Sequence, residues 1–298
     1  MASIELDIWR GEWGLASIDL ECLKVLTYMK FIGVPVRVRE SNNPFFTPKG
    51  RLPVMRDGRN VLTNFEEHYS TDVHLNTKQA AEASAFTQYL RDKLYPAYQY
   101  AWWVDEKNYG EVTRPTYAKA LRIPLNFYYP SRYQNAAKEM IDQNKLKFQI
   151  YSEAEKCLKT LSDRLGESEY FFGNRPSSFD AIVFGYLAPL VKAPFPNSTL
   201  SNHVKGIANL TRFVARINQK NFRHVTDGKY LALYYFTYKY IFYTMDENII
   251  ISPYTYCGLV DFYSFNIVYE YGNMILMNLL VSWHTFRVYW HTLLWPTL

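Results

Sequence analysis

Apolar and polar positions alternate at the start of the chain. In IELDIW, Ile4, Leu6 and Ile8 fall on one side and Glu5, Asp7 and Trp9 on the other, the period-two pattern of a half-buried strand. After the loop RGEWGLAS the period changes. Ile18, Cys22, Val25, Leu26, Met29 and Ile32 recur at helical spacing. Ser17 is the expected cap, and Glu21 lies in the first turn, where the helix dipole favours an acid. Gly33 stands where that helix ends, and VPVRVR alternates again. Strand, helix and strand predict a right-handed βαβ unit with parallel strands. An irregular NNPFFTPKG follows, then LPVM, RDGR and NVL. Asp57-Gly58 between two short apolar runs predicts a hairpin.

A βαβ unit followed by a ββ hairpin is the strand order of a thioredoxin-like fold. In that fold the proline ahead of the third strand is usually cis, and the expectation falls on Pro53. Past residue 75 the pattern turns helical. Thr77 is the expected cap of a long helix that Pro96 should kink or end. The Pro-rich, aromatic stretch from Trp102 to Gln134 gives no clear period. Over 145–166, Tyr151, Ala154, Leu158, Leu161 and Leu165 are spaced 3, 4, 3, 4, with Gly166 at the C-terminal cap. A last helix is expected over about 202–218, with Val204, Ile207, Leu210, Phe213 and Ile217 on one side.

One stretch needs a choice between chemistry and folding: FFGNRPSSFDAIVFGYLAPL, residues 171–190. Ser177 and Asp180 have capping-box spacing, with Asp in the usual Glu or Gln place. The run after them is apolar on every side, which predicts a central, buried helix. The first amides of a buried helix need partners, and water is scarce there. A Ser–Asp pair without a His between them lacks the base a nucleophile needs. The pair is therefore read as a structural cap.

Composition changes near residue 228. Twenty aromatic residues fall in 229–298 against 32 in the first 228, and charge thins out there. Residues 272–298 contain no acid, and their apolar run before His284 and Arg287 is about half of the ~20 residues a span takes. Trp283, Trp290 and Trp295 suit a membrane interface. Two readings stand for residues 227–298: a membrane-associated tail, or a non-native one, its Tyr, Phe, Ile and Asn richness fitting AT-rich sequence read through as protein. Any membrane attachment is expected in this tail and not in the body before it. The net charge of +5 is scattered, which argues against nucleic acid as a partner. Three cysteines, Cys22, Cys157 and Cys257, without a CxxC, argue for a reducing compartment and against a disulfide framework. The N-terminus reads as neither a secretory signal nor a transit peptide.

The sum of these features looks like the two-domain glutathione-transferase fold: α+β, a thioredoxin-like N-terminal domain and an all-helical C-terminal domain with one inner helix opening on a capping box. The expected division is 1–75, 76–226 and the tail 227–298. Within that frame WRGEWGLASIDLECLKVLTYMKF, NPFFTPKGRLPVM, WWVDEKNYGEVTRP, IPLNFYYPSR, CLKTLSDRLG, YFFGNRPSSFDAIVFGYLAPL and PFPNSTLSNHVKGIANLTRF resemble metaxin segments, nearest the metaxin-1/metaxin-3 branch. The likeness runs collinearly over about residues 4–222. It implies a subunit of mitochondrial outer-membrane protein import and β-barrel assembly, on the cytosolic face, with other metaxin-like and outer-membrane assembly subunits as partners. Two departures stand out. Between Phe65 and Leu75 only EEHYSTDVH remains where metaxins carry a helix. The N-terminal domain therefore reads as shortened, and a sheet face left uncovered would expose apolar surface, at about 25 cal/mol per Å². The tail does not resemble a metaxin C-terminus.

Glutathione chemistry fits poorly. Transferases of this fold steady the thiolate with a hydroxyl or thiol near the first helix, and Ser17 is the candidate. They hold the γ-glutamyl end with an acid–Ser pair after the hairpin, where this chain has Thr63 and Asn64. The six histidines form no HExxH and no zinc spacing with cysteine, and no glycine-rich phosphate loop occurs. Trp102 and Trp103 read as core. No catalytic residue, cofactor or metal is expected. The alternatives to a non-catalytic import subunit are a glutathione-transferase-type enzyme and a cytosolic scaffold.

Overall fold

The computed structural model describes residues 4–41, 43–47, 50–58, 60–62, 72–143 and 147–223. All lie in the first of two units into which the chain divides, Met1–Leu231. The stretch 65–75, expected to lack the helix that metaxins carry, lies outside the described residues up to residue 71. So does the tail from residue 224.

Strands β1 (Ile4–Ile8), β2 (Val36–Glu40), β3 (Val54–Asp57) and β4 (Asn60–Leu62) form one sheet in the order β2–β1–β3–β4. β1 and β2 are parallel, and the other pairs are antiparallel. Between β1 and β2 runs α1 (Leu20–Ile32), ended by Gly33 at φ 76°, in the left-handed region. The peptide Leu52–Pro53, at the head of β3, is cis, as is Ile123–Pro124.

Register decides what each sheet face carries. Leu6 lies opposite Val38 and Met55, and Ile4, Leu6, Ile8 and Met55 join the core. On the other face Glu5 lies opposite Arg37 and Arg56, and Asp7 opposite Arg39. Glu5 meets Arg39 at 2.8 Å and Arg37 at 3.8 Å, while Asp7 meets Arg56 at 2.7 Å and Arg39 at 3.4 Å. On the apolar face Val38, opposite Leu6, is 41% exposed. Period-two alternation in three strands collects their charges on one side, where opposite signs fall across from each other.

The helical part begins at α2 (Thr77–Tyr89). Its cap is Asn76 and not Thr77: the Gln79 amide donates to Asn76 Oδ1 at 2.8 Å, and the Asn76 amide to Gln79 Oε1 at 3.0 Å. Thr77 could not close such a box, because the third residue after it is Ala80.

Helical structure then continues through the stretch that showed no period. α3 (Tyr95–Gln99), α4 (Glu106–Asn108) and α5 (Arg114–Ala120) alternate with three wide, π-type turns at Leu90–Leu94, Tyr100–Val104 and Tyr109–Thr113. The Tyr95 amide reaches back five residues to the Leu90 carbonyl, and the Arg114 amide to that of Tyr109. Pro96 and Pro115 come next. A proline ring crowds the carbonyl four residues before it. Here that carbonyl belongs to Asp92 or Glu111, inside a widened turn that makes room for the ring. Pro96 therefore neither ends nor breaks the helical run.

Four further helices and a fifth complete the bundle: α6 (Leu125–Gln143), α7 (Lys147–Leu165), α8 (Ser178–Lys192), α9 (Thr199–Lys205) and α10 (Ala208–Asn221). The single helix expected over 202–218 is two, parted at Gly206 and Ile207. Ile207 is extended at φ −99°, ψ 97° and caps α10, so the apolar row from Val204 to Ile217 is carried across a bend. Trp102 and Trp103 are core residues, with Phe195 edge-on to Trp102 at 5.0 Å and Tyr117 at 4.9 Å from Trp103. Helix α8 is buried on nearly every side. It crosses α1 at Gly185, where a Cβ would stand 2.5 Å from Lys24 Cγ and 3.1 Å from the Leu20 carbonyl oxygen. Only a glycine lets the two backbones come this close.

Candidate functional site

The two central helices each start on a serine and an aspartate, and these starts hold the candidates Ser17, Ser177 and Asp180. Ahead of α1 the chain leaves β1 and folds back on itself. The Leu15 amide donates to Glu12 O at 2.9 Å and the Ile18 amide to Arg10 O at 3.1 Å. Gly11 makes that fold possible, since a Cβ there would lie 2.3 Å from the Leu15 carbonyl oxygen. The cap is Asp19, whose Oδ1 accepts the Cys22 amide at 3.0 Å. Ser17 is fully buried and accepts the Asp19 amide at 3.3 Å. The reading of Ser17 as helix cap is corrected, and its hydroxyl does not face solvent.

Burial raises the Asp19 carboxyl to about 6; the bond from the Cys22 amide lowers it, and neighbouring Glu21 raises it. Burial, then the Asp19 charge, pushes the Cys22 thiol well up. Tyr98 and Tyr117 are likewise raised, by burial first and Asp19 second. Cys157, also buried, is pushed up to about 12. Both described cysteines and these phenols therefore stay protonated near neutral pH. What α1 offers at its start is a part-buried carboxylate with an acid beside it, and the thiol and phenols nearby are not ionised.

At α8 the same residue types are arranged differently. Ser177 Oγ donates to Asp180 Oδ2 at 2.5 Å, and the Ser177 amide reaches the same oxygen at 2.8 Å. The Phe171 amide donates to Asp180 Oδ1 at 2.9 Å. The Asp180 amide completes the box on Ser177 Oγ at 3.4 Å. Ser177 and Asp180 are both fully buried. Desolvation raises the Asp180 carboxyl, and the bonds from Ser177 and Phe171 oppose that rise. A second acid joins from the connecting segment. Asp72 accepts the Ser178 amide at 2.8 Å and the Ser178 hydroxyl at 2.5 Å. Sequence reasoning missed Asp72 and Asp19. No local pattern links Asp72 to a residue 106 positions away, and Asp19 was hidden behind a serine equally fit to cap.

The other candidates are not brought to these starts. Pro53 heads β3 in its cis peptide. Thr63 and Asn64 lie outside the described residues. Among the described residues no group of three or more His, Cys, Asp or Glu could hold a metal ion. No described helix is long and apolar enough to cross a membrane.

Known proteins resemble this chain over the same region. Metaxin-1 of Bos taurus is 40% identical over 235 residues, 72% of this chain and 74% of that one. The chain belongs to the metaxin family. Metaxin-3 of Xenopus laevis is 37% identical over 232 residues, 72% of this chain and 75% of the relative. Residues 22–134 match the Tom37 family, described as "Outer mitochondrial membrane transport complex protein", and residues 154–217 match the glutathione S-transferase C-terminal domain. A glutathione transferase, GSTFuA2 of Phanerochaete chrysosporium, superposes at TM-score 0.52 over 74% of this chain and 99% of its own, with 10% identity. The metaxin chain thus has a glutathione-transferase-like fold, and the box of Ser177 and Asp180 and the Asp19 cap belong to its two central helices.

Proposed function

We propose that this metaxin-family chain is a non-catalytic subunit of a mitochondrial outer-membrane import complex, acting in β-barrel assembly from the cytosolic face. Family membership supports the import role, since one matching family is described as an outer mitochondrial membrane transport complex protein. The observation that argues against catalysis is the start of α1. A glutathione thiolate needs a hydrogen-bond donor there. Instead Ser17 is buried behind the Asp19 amide, and the Cys22 amide is taken by the Asp19 carboxylate. A thiolate at that point would face a like charge. The partners proposed are other metaxin-like and outer-membrane assembly subunits.

Two measurements test the reading. The purified chain is expected to give no glutathione conjugation above background with a generic electrophile. Turnover that Ser17→Ala abolishes would overturn the non-catalytic assignment. From digitonin-solubilised mitochondria the chain is expected to co-purify with outer-membrane assembly subunits. Recovery free of them would sink the import role.

A further inference from the structure

The described residues expose seven large hydrophobic side chains, and three of them share one corner. Ile123 is 79% exposed, Phe127 62% and Tyr128 55%. They surround the turn that leads from α5 into the first turn of α6. Pro124 is exposed beside them, and so are three cations, Lys119, Arg122 and Arg132. Along α6, the acid on the same stripe is Glu139, about 18 Å from Phe127 at 1.5 Å per residue. The corner is therefore an apolar tip in a basic collar.

We propose that this corner is a lipid contact: Ile123, Phe127 and Tyr128 enter the interface of an anionic bilayer while Lys119, Arg122 and Arg132 meet its phosphates. Charge selects an acidic partner, because the collar carries three cations and no carboxylate on the adjoining turn. Shape selects a flat one. A shallow depression of about 680 Å³ runs beside the tip, and its described lining, from Pro124 to Glu139, comes wholly from α6 and the residue before it. A projecting tip with a charged collar suits the boundary between headgroups and acyl chains. An isoleucine, a phenylalanine and a tyrosine left bare on one corner form a patch of the kind that marks an interaction site. The placement departs from the expectation that membrane attachment resides only in residues 229–298. It rests on the import-subunit reading only for which membrane is met.

The test uses the purified full chain with phosphatidylcholine vesicles, with and without phosphatidylglycerol, at low and high salt. Wild type is expected to bind the anionic vesicles far better, and to lose binding as salt rises. Ile123→Ser/Phe127→Ser and Arg122→Glu/Arg132→Glu should each weaken it by roughly tenfold or more, at about fivefold per basic residue lost. Those side chains are exposed, so thermal melts should match wild type. A second reading is local. An environment-sensitive dye on Ser131→Cys, in a Cys257→Ser background, should shift to the blue only with anionic vesicles; buried Cys22 and Cys157 do not compete for the dye. Vesicle binding that both double variants retain, or a dye that stays unmoved while the chain binds, would assign the contact elsewhere and overturn the proposal. It is overturned also if wild type binds neither vesicle while the patch variants drop out of the mitochondrial complex, which would make the corner a protein contact. Synthetic vesicles contain no import subunit, so this result and complex membership fail separately.

Discussion

The starts of α1 and α8 are built from the same two residue types and end in opposite states. At α8 the aspartate sits inside the first turn and reaches back, so Asp180 collects the Phe171 amide, the Ser177 amide and the Ser177 hydroxyl in one dry place. At α1 the aspartate is itself the cap, and the serine sits behind it, holding the Asp19 amide. Asp180 is fully buried, while Asp19 keeps part of its surface. The difference teaches that spacing assigns the role. An acid three residues after a serine closes a box, and an acid two residues after it displaces the serine as cap.

Removing the better satisfied acid should cost most. Asp180→Ala leaves two buried amides and a hydroxyl without their partner, and is expected to lose about 3 kcal/mol or more in urea unfolding. Stability equal to wild type would mean that Asp180 does not hold α8. Next in size is the crossing between the two helices. Gly185→Ala puts a methyl group against Lys24 and the Leu20 carbonyl. It is expected to cost about 1–3 kcal/mol by overpacking, and Gly185→Val more. A melting temperature unchanged by the valine would show that α1 and α8 separate easily, and the comparison of their starts would lose its basis.

The weaker start should reveal itself through pH. Asp19 is raised in the folded protein to about 6, above its ordinary 3.8, so between those values the native state holds more proton than the unfolded chain. Its contribution is present at low pH and is lost as pH rises through 6. Asp19→Asn keeps an oxygen for the Cys22 amide and removes the charge. Relative to wild type it is expected to gain about 1–2 kcal/mol between pH 4 and 7.5, the partly exposed carboxylate keeping the effect modest. Urea titrations at the two pH values check this, and parallel behaviour of the two proteins would refute it.

Much of this architecture was legible because it rests on local periodicity. Ile4, Leu6 and Ile8 announced β1, the row from Ile18 to Met29 announced α1, and SSFD followed by an all-apolar run announced α8. What stayed hidden depends on contacts far apart in the chain or on broken rhythm. Asp72 and Ser178 have no shared signature. Nor do Asn108 and Asn197, although the buried Asn108 side chain grips the Asn197 amide at 2.8 Å and its carbonyl at 3.0 Å. The stretch from Trp102 to Gln134 went unassigned because its prolines and wide turns disturb the 3.6-residue period. In IPLNFYYP aromatic content says nothing about which residue stays bare: Phe127 and Tyr128 are exposed and Tyr129 is buried. Asp19 was missed because two good capping residues, Ser17 and Asp19, stood together, and no local pattern chooses between them.

The wide turns have a consequence for angular phase. An ordinary helical turn closes in about 3.6 residues, whereas a turn held by a bond reaching back five residues takes in about one more, so the additional residue is absorbed in the widened turn and the side chains beyond it keep their heading. Three such turns between Leu90 and Thr113 therefore let 90–120 carry additional residues while the faces on either side of each turn stay in phase. Deleting a single residue within one of them should restore an ordinary turn, with the following face still directed at the core. In aligning this chain with relatives, a one-residue gap placed there is a change in the width of one turn and leaves the faces on either side in register.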